Sequence, residues 1–107
     1  MMRRYLTAEK ARKMSEKAAV KARDNCYHEI ISFVENGIKT CINDGRYTYH
    51  TSFNKSRWMN DQMVDCLKKH FRARGFLVEV KFVENNNDFD DYDHYYDYYR
   101  FSISWDV

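Results

Sequence analysis

At 107 residues, with 44% hydrophobic and 32% charged residues, the chain has the length and composition of one globular domain with one modest core. The absence of proline and the presence of only three glycines exclude collagen-like, proline-rich and glycine-linker architectures. The net charge of +2 hides an asymmetry: residues 1–83 carry 17 basic and 9 acidic side chains, residues 84–107 one basic and 7 acidic.

In chain order, Thr7 is the expected N-cap of a long helix over 7–43, with Glu9 in its first turn. Its first half carries a narrow stripe of small residues, Ala8, Ala11, Ala18, Ala19, Ala22 and Cys26. Its second half carries a wide face of Ile30, Ile31, Phe33, Val34, Ile38, Cys41 and Ile42. Asn43-Asp44-Gly45 is a stop signal. Residues 46–53 alternate with period two and predict a strand, with Tyr47, Tyr49, Thr51 and Phe53 on one face. A second helix is expected over 57–74, with the apolar stripe Met59, Met63, Val64, Leu67 and Phe71 closed by Gly75. Residues 76–83 and 98–105 predict two more strands, separated by an acidic, tyrosine-rich loop over 84–97. The expected fold is α+β. A long N-terminal helix precedes a β-α-β-β unit over 46–107, whose three-stranded mixed sheet has order 1-3-2 and helices on one face.

A continuous helix over 8–43 is about 54 Å long, more than the diameter of a compact domain of this size. Its small-residue overhang predicts a homo-oligomer assembled through the N-terminal helix. No apolar run reaches membrane-spanning length, and no export signal is evident at Met1-Met2-Arg3-Arg4. A cytoplasmic protein with reduced Cys26, Cys41 and Cys66 is therefore expected, the last two as packed thiols.

Catalytic and cofactor motifs are missing. The four histidines lack zinc-site spacing, the acidic run lacks the glycine and closing glutamate of a calcium loop, and no phosphate-loop pattern occurs. A non-enzyme without metal or cofactor is the expectation. Nine tyrosines exceed the needs of a small core and suit recognition. The candidate ligand site combines Tyr47, Tyr49, His50, Arg57, Trp58 and Arg100, rings and cations able to stack a base and hold phosphate. The alternative site is Asp88, Asp90, Asp91 and Asp93, a carboxylate set that could imitate nucleic-acid phosphates against a basic protein partner. Direct nucleic-acid binding is opposed by the acidic C-terminal part.

Four stretches carry a resemblance: Leu6-Thr7-Ala8-Glu9-Lys10-Ala11-Arg12, Gly45-Arg46-Tyr47-Thr48, Arg74-Gly75-Phe76-Leu77-Val78 and Ile103-Ser104-Trp105. Together they resemble a loose class of small tailed-bacteriophage accessory proteins. The acidic insertion departs from the short hairpin of that layout. The resemblance implies a viral protein made in the host bacterial cytoplasm and directed at host machinery or immunity. Two functions then compete. One is a homo-oligomeric sponge that sequesters a nucleotide second messenger. The other is a protein inhibitor of a defence nuclease or CRISPR complex, acting through the acidic loop.

Overall fold

A computed structural model describes residues 5–84 and 97–106. The chain forms α1 (Ala8–Asn43), β1 (Thr48–Asn54), α2 (Asp61–Arg72), β2 (Leu77–Val83) and β3 (Tyr98–Ser104). This is the expected α+β order. The sheet has order β1-β3-β2 with both pairings antiparallel, so it is antiparallel rather than mixed.

Helix α1 starts where Thr7 Oγ1 accepts from Lys10 N at 3.2 Å. It stops where Gly45 turns to φ +74° and Arg46 N reaches back to Cys41 O at 2.8 Å. Gly75 ends α2 in the same way, at φ +89°, with Phe76 N on Phe71 O at 3.1 Å. Both helices thus close their last carbonyls with a left-handed glycine, a conformation that costs a residue with a Cβ.

Helix α2 begins at Asp61, not Arg57. The reason is two capping residues in succession. Ser56 Oγ accepts from Met59 N and Ser56 N donates to Met59 O, both at 3.1 Å, closing a turn over 56–59. Asn60 Oδ1 then accepts from Met63 N at 3.0 Å and caps the helix proper. Arg57 and Trp58 are held in the turn, outside the helix.

Period-two alternation decides what the sheet buries. The inner face has three rows in register: Tyr49–Ile103–Val78, Thr51–Phe101–Val80 and Phe53–Tyr99–Phe82. Ile31, Val34 and Ile38 of α1 and Met63, Leu67 and Phe71 of α2 pack on that face. The outer face is left uncovered by either helix.

Only the second half of α1 belongs to this core; its first buried residue is Ile31. At about 100° per residue, Ala11, Ala18 and Ala22 lie roughly 160° round the helix from Ile31, Val34, Ile38 and Cys41, so these three alanines face away from the sheet, whereas Cys26 of the same stripe packs against the core. The helix overhangs the sheet unit as its length requires. The molecule extends 67 × 41 × 20 Å, with a radius of gyration of 18.9 Å against roughly 13 Å for a compact chain.

Gly37 explains how α1 docks. The Tyr49 ring lies directly over it, and a Cβ at Gly37 would overlap the ring and hydroxyl. Gly37→Ala should therefore destabilise the fold by about 1–3 kcal/mol through overpacking, even though alanine improves helix propensity by about 1 kcal/mol. Tyr49→Val should cost less in the Gly37→Ala background than in the parent. Urea unfolding of the four proteins measures both. A Gly37→Ala protein as stable as the parent would contradict this account.

Candidate ligand groove between the two helices

The six residues of the sequence-derived site do not converge. Tyr49 points to the inner face, half-buried over Gly37. His50 and Arg100 point to the open outer face, one cross-strand row apart. His50 Nδ1 lies 3.0 Å from Ser102 Oγ, while Arg100 Nη2 donates to Tyr98 Oη at 3.3 Å. Tyr47 is 59% exposed just before β1. The turn holding Arg57 and Trp58 follows the other end of that strand, about 23 Å along seven residues. Strand alternation and strand length, both physical constants of the β conformation, separate side chains that are close in sequence. Asp88, Asp90, Asp91 and Asp93 lie outside the described residues.

The His50–Ser102 pair is not a nucleophilic triad in the making. Glu79 stands opposite Ser102 on β2, so the serine sits between imidazole and carboxylate. An acid that orients the base must touch the base.

Of the six, Trp58 alone lines a groove of about 730 Å³ between the overhanging helix and α2. That volume is in the range of small-molecule sites. Arg23, Asp24 and Tyr27 form the α1 wall. Met63, Cys66, Lys69 and His70 form the α2 wall, spaced at one helical face, and Arg74 closes its end. Cys66 is exposed there rather than packed; Cys41 is buried as expected. Arg57 does not line the groove. Its guanidinium stands 4.7 Å from the Trp58 ring centre, a cation–π contact that backs the indole.

Three of the lining side chains are cations and one, Asp24, is an anion. Arg23 Nε and Asp24 Oδ1 are 3.8 Å apart with both side chains more than half exposed, a pairing of little energetic weight. Arg74 Nη1 donates to His70 O at 2.8 Å, which fixes its chain and leaves further guanidinium donors free. The groove is thus electropositive, with an aromatic plate at the start of α2.

At the base of the groove His70 joins the helices. Its Nδ1 is 3.3 Å from Tyr27 Oη. Its Nε2 is buried without a hydrogen-bond partner, 3.9 Å from Glu35 Oε1. Burial and the Arg74 charge hold its pKa below the ordinary 6.5, against the opposing pull of Glu35 and with a smaller push from His28. The ring is therefore neutral at pH 7.

Among the described residues, no group of three or more His, Cys, Asp or Glu side chains could hold a metal ion, and no helix is long and apolar enough to cross a membrane. Searches of protein families, curated proteins and solved structures found no match to the chain.

Sequence reading missed Arg23, Tyr27, Gln62, Lys69, His70 and Arg74. The available signal was the polar row Gln62, Cys66 and Lys69 at i, i+4, i+7 beside the apolar stripe of α2.

His70 gives a pH prediction. The unfolded chain binds a proton on this residue near pH 6.5, and the folded chain only at lower pH. Its contribution to stability is thus complete above about pH 6.5 and is lost as the pH falls toward the folded value. Urea midpoints at pH 7.5 and pH 5.5 should differ more in the parent than in His70→Gln. Equal differences would remove His70 as a source of acid sensitivity.

Proposed function

We propose that the chain is a non-catalytic binding protein that takes a small nucleotide into the α1–α2 groove. The observation that carries this is the groove itself: about 730 Å³, an indole plate, and an excess of cations over its single carboxylate. A flat aromatic ring and a phosphate need those two surfaces within one cleft.

The resemblance to phage accessory proteins supplies the setting. On this reading the protein is made in the host bacterial cytoplasm and withdraws a nucleotide signal from host immunity. Sequestration requires tight uptake and no turnover, and several sites per particle raise capacity. The projecting half of α1 gives copies a place to join. Met14 and Val20 are 64% and 49% exposed there, and Ala11, Ala18 and Ala22 allow close approach of a second helix. A long solvated helix of small residues gains most from such a partner.

Native mass spectrometry of the purified protein should show an oligomer and retained or added nucleotide. Titration calorimetry with linear and cyclic nucleotides should show binding that Trp58→Ala and Lys69→Ala each weaken at least tenfold, with helix content unchanged. Tyr47→Ala and Arg100→Ala, which sit away from the groove, should bind like the parent. No heat with any nucleotide overturns the proposal. Loss of binding in the Arg100 variant alone would move the site to the open sheet face.

A further inference from the structure

The groove is asymmetric, and the asymmetry specifies more than a nucleotide in general. This inference rests on the binding proposal above.

Trp58, Asn60 and Gln62 line the groove around the start of α2. Asn60 is committed to the fold: its Oδ1 accepts from Met63 N, and its Nδ2 donates to Arg57 O, both at 3.0 Å. Gln62 is different. It is exposed, lines the groove, and its side chain makes no hydrogen bond among the described residues. Its carboxamide offers a donor and an acceptor side by side in the groove that Trp58 also lines.

Cation placement sets a direction. Lys69 lies seven residues beyond Gln62 on the same face of α2, about 10 Å further along the axis. Arg74 lies beyond it, held by its bond to His70 O. Asp24 is the single carboxylate of the groove, and it repels a phosphate placed beside it. One end of the α2 wall therefore carries an aromatic plate and a free amide, and the other carries cations. A base and its phosphate are separated in the same sense.

We infer that the groove reads the base at Gln62 and that the base is adenine. A glutamine amide pairs two-fold with adenine, donating to N7 and accepting from the N6 amino group. Guanine presents two acceptors, N7 and O6, on the equivalent edge, which asks for an arginine or lysine pair. Arg57, stacked on Trp58, does not line the groove, and Arg23 stands on the α1 wall rather than on the face of α2 that carries Gln62. Stacking on Trp58 tolerates any base, so the selection falls to Gln62.

Matched ligands test this: AMP against GMP, CMP and UMP, cyclic di-AMP against cyclic di-GMP, and ribose 5-phosphate as the ligand without a base. Tryptophan fluorescence and calorimetry read the binding. The expected result is adenine ligands at least tenfold tighter than their guanine counterparts, with the ratio falling below threefold in Gln62→Leu. Lys69→Ala should weaken every phosphate ligand and leave the ratio unchanged. Gln62 is exposed, so its substitution leaves the core intact, and circular dichroism checks this. Equal binding of all bases, preference for another base, or an adenine preference that survives Gln62→Leu overturns the inference while the nucleotide proposal stands. No binding of any ligand in the series overturns both.

Discussion

The ring of Tyr49 over Gly37 is the contact on which the arrangement of the molecule depends. The ring tip fills the place a Cβ at position 37 would take, so glycine lets α1 and β1 approach closely there. One turn back along the helix, Phe33 meets Phe53 at 5.7 Å between ring centres, and Phe53 meets Phe101 on the central strand at 5.5 Å. Two points on a rigid rod fix its direction. Because α1 is unbroken from Ala8 to Asn43, docking its second half also fixes the course of its first half. Arg23, Asp24 and Tyr27 therefore stand where a glycine and a tyrosine at the other end of the helix put them.

Helix α2 is held by the sheet rather than by α1. At its start, Tyr99 Oη donates to Asp61 Oδ1 at 2.8 Å. Burial, this hydrogen bond and the nearby carboxylates raise the Tyr99 hydroxyl to about 12, so the bond keeps its proton across any ordinary pH. At its end, Arg72 Nη2 donates to Val78 O at 3.0 Å and the Phe71 ring meets Phe76 edge-on. The helices touch one another little, with Tyr27–His70 as the polar bridge. Two helices that each pack on a shared sheet, and only lightly on each other, leave a cleft between them. The groove is a consequence of how the load is distributed, not of any motif in the chain.

That origin explains what the sequence disclosed. The element order and the strand order 1-3-2 follow from local signals: the stripe Ile31, Val34, Ile38, the alternation of Val78 and Val80, the left-handed glycines Gly45 and Gly75. Each is a property of neighbours in the chain. The site is not. Tyr47, Tyr49, His50, Arg57, Trp58 and Arg100 look like one constellation because five of them fall within twelve positions. The strand between them spreads them over two faces and two ends. The groove joins residues near 23–27 to residues near 58–74, and in the sequence these belong to the polar faces of two amphipathic helices. Such faces read as solvated surface until the tilt of the rods is known. Trp58 was visible because a large aromatic beside an arginine is anomalous wherever it sits.

The two histidines nearest to chemistry stand on opposite faces of the fold. His70 is the imidazole that lines the groove, and its chemistry is spent inward: Nδ1 faces Tyr27, Nε2 is buried toward Glu35, and the lowered pKa keeps the ring neutral. A general acid at this position would have to carry its proton at neutral pH and present it to the cleft; His70 does neither. The exposed imidazole and hydroxyl of His50 and Ser102 meet on the opposite face of the sheet, away from the cations of the groove. A ligand lying along α2 thus meets an indole, amides and positive charge, with the Asp24 carboxylate and the exposed Cys66 thiol in the same lining.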